Sequence, residues 1–359
     1  MPAVPTLPHL PRQVEVIDTD PARPLGERLR VRAIARAPLE AGQVRVGMLA
    51  MAVNPADLLQ LDGRYGLRPP LPYVAGLEGV GVVIETAPDV GDLLPGARVL
   101  PLAAGGFWAD ERVLHRRALV PLDAATDALQ QAMLCANPAT AWVLLRHMAA
   151  LQPGDWVLQN AANSAVGQCV RQLAPALGLR VLNVARRAGA VPPEAAGDPG
   201  WLVDPEGDAG TLKAGLARAR GAAAPGREAA APGRAVLALD ALGGRATGAL
   251  AAALDDGGTV VVYGLMSGEP SALPAHDLVF RGVKAQGLWL ARWFADPANR
   301  AHAKGLYPEL AAQLAAGTLR MSVGAVHDLA DAAAAVQAAA QPARAGKVLL
   351  RGAWWDRPL

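Results

Sequence analysis

The pattern of hydrophobic and polar residues predicts two kinds of structure along the chain. From about residue 14 to about residue 125, short runs rich in valine and leucine are separated by glycine and proline. Runs of this length bounded by turn residues predict strands, and their close succession favours a mostly antiparallel β domain. The runs are RLRVRAIARAPL, QVRVGMLAMAVN, GVGVVIETAP, GARVLPLA and WADERVLH.

The spacing of apolar residues becomes helical at about residue 126, and strands and helices alternate from there on. Parallel strands need a crossover connection, which is usually a helix, so this alternation predicts a doubly wound parallel sheet. The predicted elements are DWVLQNAA, a helix from Ser164 to Leu177, RVLNVA, GWLVD, AVLALDAL, a helix near 245–254, GTVVVYG and VKAQGLWL.

The end of the chain is expected to rejoin the first domain. After Trp293 the pattern predicts two more helices and the strand GKVLLRG, and the 359 residues are too many for one ordinary core. We therefore predict one domain over residues 1–130 and 290–359 and a second over 131–289. Within the second domain, the low-complexity stretch 221–235 is expected to be a surface loop.

Composition and charge exclude some classes of function for this protein. Hydrophobic residues make up 52% of the chain and charged residues 18%, which is typical of a packed globular protein. The formal net charge is +2, with no dense run of lysine and arginine, so nucleic acid is not an expected partner. No apolar run reaches the roughly 20 residues that span a bilayer. Residues 1–16 lack the pattern of a secretory signal, and we expect a cytoplasmic protein without membrane contact.

The stretch AANSAVG, residues 161–167, resembles a dinucleotide-binding turn whose glycines have been replaced. In such a turn the backbone bends tightly and the following helix offers free N–H groups to a pyrophosphate. Ala161, Ala162 and Ala165 are the smallest residues after glycine, and Gly167 remains where the helix must lie close to the strand. Asn163 and Ser164 could bond a phosphate oxygen, but a simple helix cap fits this segment equally well.

The next strand, RVLNVARR, favours a phosphorylated cofactor. An acidic residue at its end would bond the ribose 2′-hydroxyl of NAD, whereas arginine accommodates the 2′-phosphate of NADP. Here the strand ends in Arg186 and Arg187. The alternative interpretation is that the two arginines simply mark a solvated strand end. Their position after the dinucleotide-type turn nevertheless favours NADPH. Tyr263, Gly264, Leu265 and Met266 follow a later strand, at the sheet edge where ligands bind in this fold.

The segment GLEGVG, residues 76–81, bears on metal binding. It resembles the G-H-E-x-x-G stretch of medium-chain alcohol dehydrogenases, in which the histidine is a zinc ligand. Leu77 occupies the histidine position and cannot bind a metal, so Glu78 is expected to make a structural contact. The two cysteines, Cys135 and Cys169, have no cysteine or histidine nearby at metal-ligand spacing. We therefore expect no metal.

Without a metal, reduction chemistry needs a hydrogen-bond donor for developing negative charge. Tyr65 is a candidate, because it lies in a glycine-flanked loop after a predicted strand-to-helix transition. From spacing alone, however, a tyrosine in a proline-rich loop is more often a residue that anchors the loop.

Several motifs together resemble the mitochondrial-type trans-2-enoyl-thioester reductases, a zinc-free branch of the medium-chain dehydrogenase/reductase superfamily. The resemblance covers almost the whole chain, and the Asn-Ser phosphate turn is its most specific part. The matching segments are Val53–Tyr65, Asn137–Ala141, Gln159–Gln168, Tyr263–Met266, Leu288–Leu290 and Lys347.

This resemblance implies a fold, a cofactor and a reaction. The fold would be α/β, with a GroES-like, mostly antiparallel catalytic domain and a Rossmann NADP-binding domain. NADPH would reduce the C2=C3 bond of a trans-2-enoyl thioester of CoA or acyl carrier protein, as in fatty acid synthesis, with Tyr65 as proton donor and a homodimer as the assembly. The implied cofactor residues are Asn137, Asn163, Ser164, Ala165, Val166, Arg186, Arg187, Tyr263, Gly264, Leu265, Met266, Trp289 and Lys347.

Two alternatives stay open. An NADPH:quinone or enone reductase shares the fold and the cofactor and would not need Tyr65. A non-catalytic NADP-binding protein is the other. Leu265 replaces the glycine usual in the family, and Leu288 replaces an aromatic residue. These two differences are expected to affect the fit of the substrate more than the binding of the cofactor. Trp108 is a candidate wall of the substrate cleft, with a core position as its alternative.

Overall fold

The computed structural model describes residue 7 and residues 9–222, 233–342 and 345–357. The predicted surface loop at 221–235 lies mostly outside these residues. The chain divides into unit 1, which comprises Met1–Ala136 and Tyr307–Leu359, and unit 2, which comprises Asn137–Leu306.

Strands and helices cover most of the described chain. The strands are β1 (Arg12–Val16), β2 (Leu29–Ala33), β3 (Gln43–Val53), β4 (Tyr73–Val74), β5 (Gly79–Thr86), β6 (Arg98–Pro101), β7 (Glu111–His115), β8 (Leu119–Pro121), β9 (Trp156–Gln159), β10 (Arg180–Ala185), β11 (Trp201–Val203), β12 (Ala235–Asp240), β13 (Thr259–Val262), β14 (Lys284–Gly287), β15 (Val323–Asp328) and β16 (Lys347–Arg351). The α-helices are α1 (Leu25–Arg28), α2 (Pro55–Leu61), α3 (Ala128–Gln131), α4 (Asn137–His147), α5 (Ala165–Leu173), α6 (Ala209–Ala222), α7 (Arg245–Ala253), α8 (Ala275–Val279), α9 (Leu290–Ala295), α10 (Arg300–Ala315) and α11 (Ala332–Ala340).

Unit 1 is mostly antiparallel, as predicted. Its large sheet has the order β15-β16-β3-β5-β6-β8, with β7 also paired to β3, and a smaller sheet has the order β2-β1-β4. The pair β15 and β16 is parallel and is connected by α11. The sequence pattern did not reveal β15, because its residues alternate between partly buried and exposed positions and form no continuous apolar run.

The core of unit 1 contains Trp108. This side chain is fully buried, and its indole N–H donates to the carbonyl oxygen of Ala52 over 3.3 Å. The interpretation of Trp108 as a wall of a substrate cleft is therefore wrong, and the core position is correct. Gly76 makes room for the indole, since a Cβ there would lie 2.2 Å from it.

Unit 2 contains the predicted doubly wound sheet. Its six strands are all parallel, in the order β11-β10-β9-β12-β13-β14. The chain leaves β9 toward β10 on one side and returns to β12 on the other, so β9 and β12 flank the topological switch point. All carboxyl ends of the strands meet at one edge, which we call the carboxyl edge.

The observed unit boundaries differ from the predicted domain limits. The second boundary lies at 306/307 rather than 289/290. The physical reason is aromatic packing within unit 2, where the ring of His147 lies 5.2 Å from Trp293 and 4.4 Å from His302. The first boundary lies at 136/137 rather than 130/131.

Helix α5 follows the predicted turn closely. The Ser164 side chain caps it, and its buried residues recur with helical spacing. The predicted helix to Leu177 ends instead at Leu173, and a 3₁₀ turn follows over Pro175–Leu177. Proline lacks the N–H that would continue the α-helical hydrogen bonds. No described helix has the length and apolar character needed to cross a membrane.

Candidate active site

The turn from β9 into α5 is built without glycine at its tightest point. Ala161 has a φ of +47° and is the one non-glycine residue with positive φ in the described chain. A left-handed backbone costs a side-chain-bearing residue about 1–2 kcal/mol. The Ser164 hydroxyl accepts the N–H of Gly167 over 3.1 Å. The amides at the start of α5, from Ala165 and Val166, have no acceptor within the helix and suit an anion.

Gly167 is required by the close approach of α5 to the turn. A Cβ at this position would lie 2.6 Å from the carbonyl oxygen of Ala162. This contact is with backbone, so no side-chain rotation relieves it. The close approach expected at Gly167 is therefore present, but its partner is Ala162 in the turn rather than the strand itself.

We expect Gly167→Ala to lower the free energy of unfolding by about 1–3 kcal/mol through overpacking, although alanine favours a helix by about 1 kcal/mol. Urea unfolding monitored by tryptophan fluorescence measures the change. Gly189→Ala is the matched control, because no atom lies within 4 Å of a Cβ built there. Equal stability of the two variants would contradict the expectation.

Tyr263 and Gly264 leave β13 at the same carboxyl edge. The Tyr263 hydroxyl is buried and has no hydrogen-bond partner among the described residues. Burial raises the pKa of this phenol, and the neighbouring Ser164 side chain opposes the rise. Gly264 is required here, because a Cβ would lie 2.4 Å from the carbonyl oxygen of Ala241. Leu265 and Met266 follow and are exposed.

A buried polar network supports this edge and was not recognised in the sequence. The Asp240 carboxylate, at the end of β12, accepts from Asn160 Nδ2 over 2.6 Å and from Thr247 Oγ1 over 2.6 Å. It also accepts the backbone N–H groups of Leu242 and Gly243. The network holds the ends of β9 and β12 together at the switch point. An aspartate ending a buried apolar strand was the available signal.

Arg186 and Arg187 follow β10, the strand beside β9. Both are exposed, and neither forms an ion pair with another described residue. The backbone N–H of Ala162 bonds the carbonyl of Val184 over 3.2 Å, so the turn lies against the end of β10. The arginine pair therefore follows a strand whose end lies against the predicted phosphate-binding turn.

The remaining predicted cofactor residues are more dispersed. Trp289 follows β14 and precedes α9, with 38% of its surface exposed. Asn137 is a buried residue that begins α4. Lys347 belongs to unit 1, at the start of β16, whereas the other predicted cofactor residues belong to unit 2. Its role at the cofactor stays a prediction.

Tyr65 lies in unit 1, in the loop after α2. It is partly buried, and its backbone N–H bonds the carbonyl oxygen of Leu59 in the last turns of α2 over 3.0 Å. The carbonyl of Leu59 also accepts the N–H of Arg64. The position of the phenol is therefore tied to the position of α2.

A buried polar cluster holds the start of α2. Lys347 Nζ donates to Asn54 Oδ1 over 2.5 Å, and Asn54 Nδ2 donates to Glu78 Oε1 over 2.7 Å. The other oxygen of Glu78 accepts the N–H of Ala136 over 2.8 Å. The structural role expected for Glu78 is thus confirmed. Asp57 completes the cluster by accepting the backbone N–H of Asn54 over 2.7 Å.

Burial shifts the titration of both carboxyl groups. Desolvation raises the pKa of Asp57 from 3.8 to about 7, with the nearby Glu78 adding to the rise and Lys347 opposing it. Desolvation also raises the pKa of Glu78, against the lowering effect of Lys347. Sequence analysis missed Asn54 and Asp57, although N-P-x-D before an apolar run is a helix-start signal.

The raised pKa of Asp57 predicts a pH effect on stability. The folded protein keeps this proton where the unfolded chain loses it, so Asp57 destabilises the fold increasingly between about pH 4 and pH 7. We expect Asp57→Asn to gain stability over the wild type as pH rises through this window and then to keep a constant gain. Urea unfolding at several pH values tests this. Asp356→Asn, at an exposed position, serves as the control. A stability difference between Asp57→Asn and the wild type that did not change with pH would contradict the expectation.

Leu77 takes the position of the zinc-ligating histidine, directly before Glu78. It lies beside the Gly105 loop, since a Cβ on Gly105 would be 3.4 Å from its Cδ2. Within residues 9–222, 233–342 and 345–357, no three histidine, cysteine, aspartate or glutamate side chains form a group that could hold a metal ion.

Two family profiles match the chain. The alcohol dehydrogenase GroES-like domain matches residues 40–124, and a zinc-binding dehydrogenase domain matches residues 218–350. Together with the antiparallel sheets of unit 1 and the doubly wound sheet of unit 2, they define a member of the medium-chain dehydrogenase/reductase superfamily, with a GroES-like and a Rossmann-type domain.

Curated relatives define the family more closely. The mitochondrial enoyl-(acyl-carrier-protein) reductase of Xenopus tropicalis is 36% identical over 72% of this chain and 71% of its own length. The Caenorhabditis elegans protein of the same name is 33% identical over 87% of each. The chain belongs to this enoyl-(acyl-carrier-protein) reductase family. The expected cytoplasmic location is wrong by this comparison, because these relatives are named as mitochondrial proteins.

Solved structures share the fold. A Bacillus thuringiensis protein assigned as an NADPH:quinone reductase has a TM-score of 0.79 and 27% identity, over 95% of this chain and 99% of its own. An Etr1p complex with NADP and crotonyl-CoA has a TM-score of 0.78 and 21% identity over the same shares. The Etr1p/Etr2p 2-enoyl thioester reductase heterodimer of Candida tropicalis has a TM-score of 0.77 and 21% identity, over 96% and 100%.

Proposed function

We propose that this protein uses NADPH to reduce the C2=C3 double bond of trans-2-enoyl thioesters. The observation that carries the proposal is membership of the enoyl-(acyl-carrier-protein) reductase family. Local geometry supports it, because the phosphate-type turn, the exposed arginine pair and the buried Tyr263 hydroxyl all lie along the carboxyl edge of unit 2.

The carboxyl edge fits a nicotinamide dinucleotide. The turn from Asn163 to Val166 offers backbone amides to the pyrophosphate, and Arg186 with Arg187 suits a 2′-phosphate. The buried hydroxyl of Tyr263 lies beside the Ser164 side chain and can donate to a ligand bound at this edge. When bound there, NADPH supplies the hydride for the reduction. Trp289, Asn137 and Lys347 are further proposed contacts on the strength of the family resemblance.

Tyr65 is the proposed hydrogen-bond donor to the substrate. Hydride addition at Cβ of an enoyl thioester moves negative charge onto the thioester oxygen, which becomes an enolate. A phenol O–H donates more strongly to an enolate than to a neutral carbonyl, so it stabilises the transition state more than the ground state. The same phenol can then transfer its own proton to Cα, which leaves a phenolate that is reprotonated from solvent.

The proposed substrate is a thioester in which the acyl group is attached to CoA or to acyl carrier protein. The names of the curated relatives specify the acyl carrier protein, and the Etr1p complex contains crotonyl-CoA. No metal takes part in the proposed reaction, because Leu77 replaces the ligating histidine and supplies no donor atom.

NADPH oxidation tests this function. Purified protein is assayed with crotonyl- and decenoyl-thioesters of CoA and of acyl carrier protein, beside a panel of quinones. Turnover of the thioesters, unchanged by a chelator, is expected. Turnover of quinones alone would favour the second candidate, an NADPH:quinone reductase, which the Bacillus thuringiensis relative supports. Binding of NADPH without turnover of either class would favour a non-catalytic protein.

A homodimer is the proposed assembly. The order of the six-stranded sheet ends at β14, and all four residues of this edge strand are exposed. Val279 and Phe280, just before it, are 70% and 78% exposed. An unprotected edge beside exposed apolar side chains is suited to pairing with a second chain. Light scattering should give twice the chain mass of 37.0 kDa, whereas the Etr1p/Etr2p structure is a heterodimer.

A further inference from the structure

Unit 2 contains a cavity of about 470 Å³ that the proposed reduction does not use. Its walls come from the end of α4, the segment that leads into β9, the 3₁₀ turn that precedes β10 and the start of α10. Segments that lead into parallel strands lie at the amino ends of those strands, whereas the phosphate-type turn follows the carboxyl end of β9. The cavity therefore lies at the opposite edge of the sheet from this turn.

Much of the cavity wall is apolar. Four leucines line it, together with the ring of Trp142, and they are Leu145, Leu151, Leu177 and Leu179. Cavities of a few hundred Å³ that are lined mainly by apolar side chains, with a few polar groups to orient the ligand, are typical of small-molecule sites. The aliphatic character of these side chains suits a hydrocarbon chain.

The charged and titratable side chains of the wall are all basic. They are Arg146, His147 and His302, and none of the described residues that line the cavity is acidic. The Arg146 guanidinium lies 5.1 Å from the ring centroid of Trp142, and stacking of this kind leaves the N–H groups at the guanidinium edge able to donate. The rings of His147 and His302 are 4.4 Å apart. The wall thus concentrates positive charge beside its apolar surface.

His147 shows that this group of basic side chains has room for an acceptor. Its Nε2 atom is buried and has no hydrogen-bond partner within the described part of the chain. Burial lowers the pKa of His147, and the nearby His302 and Arg146 lower it further. A buried polar atom without a partner is costly, so an anion that accepts from it would be stabilised there.

We propose that this cavity binds an aliphatic monocarboxylate, with its hydrocarbon chain against the leucines and its carboxylate against Arg146, His147 and His302. Charge complementarity selects the anion over an alcohol or an amine with the same chain. The planar carboxylate also matches the paired N–H groups of a guanidinium. This inference does not depend on the proposed reduction, because the two sites lie at opposite edges of the sheet.

Calorimetric titration of the whole protein with octanoate tests the proposal. At about pH 6, where an ordinary histidine is largely protonated, we expect saturable binding of one octanoate per chain. Octanol and octylamine should bind at least about 10-fold more weakly, because they lack the negative charge. Arg146→Gln, at an exposed position, should weaken octanoate binding by about 10-fold. Lys213→Gln removes an exposed positive charge in α6 and is the matched control, which should bind octanoate as the wild type does.

Proton NMR of the six histidines locates the ligand. Octanoate should shift the imidazole signals of His147 and His302, which His147→Gln and His302→Gln identify. The Kd for NADPH should stay the same in saturating octanoate, and Arg146→Gln should keep the wild-type turnover.

Three results would overturn the inference. Octanol that binds as tightly as octanoate would show an apolar surface without selection for charge. Displacement of octanoate by NADPH would place the carboxylate at the cofactor site, and unshifted signals of both histidines would place it elsewhere. If Arg146→Gln does not fold, His302→Gln enters the same titration, since His302 is also exposed, and it should weaken octanoate binding too. An unchanged affinity in that variant would equally contradict the proposal.

Discussion

Tyr65→Phe should lower kcat on enoyl thioesters by about 10²–10³-fold, which is the usual effect of removing one donor to a developing oxyanion. The substitution deletes one oxygen and leaves the ring. Because the lost hydrogen bond is stronger in the transition state than in the ground state, KM for the thioester should change much less than kcat. The Kd for NADPH should not change, because Tyr65 is proposed to bond the thioester oxygen and is not one of the proposed cofactor residues.

Tyr307→Phe is the matched control for this experiment. Its hydroxyl donates to the carbonyl oxygen of Cys135 over 3.3 Å, and the side chain is buried. Loss of that bond should lower the free energy of unfolding by about 0.5–1.5 kcal/mol and leave turnover per folded molecule intact. If Tyr65→Phe behaved in the same way, Tyr65 would be an anchor of its loop, and the quinone-reductase alternative would gain support.

Replacing both Arg186 and Arg187 with alanine should abolish the preference for NADPH over NADH. Hydrogen bonds to charged groups contribute about 1.5–3 kcal/mol each. At these exposed positions the lower value applies, so two such bonds correspond to about 10²-fold in affinity. The Kd for NADH should change little, because NADH lacks the 2′-phosphate. Fluorescence titration with each cofactor measures both values.

The control removes two charges elsewhere in unit 2. Lys213 and Arg300 are both exposed, and Lys213→Ala with Arg300→Ala changes the net charge equally without altering the carboxyl edge. This variant should retain the NADPH preference. A wild-type protein that bound both cofactors equally, or an arginine variant that kept its preference, would refute the assignment of the 2′-phosphate site.

The sequence by itself determined the class of the fold. The alternation of strands and helices predicts the parallel sheet, because parallel strands need crossovers, and the antiparallel domain follows from short strands separated by turn residues. Local chemistry was equally accessible: Gly167 and Ser164 act through contacts with near neighbours in the sequence, and the arginine pair at the end of β10 is visible in the sequence itself. Leu77 could be compared with the family's histidine position directly.

Only the tertiary structure decided which distant residues meet. Lys347 and Asn54 are 293 positions apart in the sequence and form a 2.5 Å hydrogen bond because β16 pairs with β3. The pairing of Asn160 with Asp240 likewise depends on β9 and β12 being neighbours. The burial of Trp108 also follows from packing against other strands. Sequence periodicity indicates which face of a helix or strand is apolar. Strand order and register decide which residues that face contacts, and which partners the polar residues on it find.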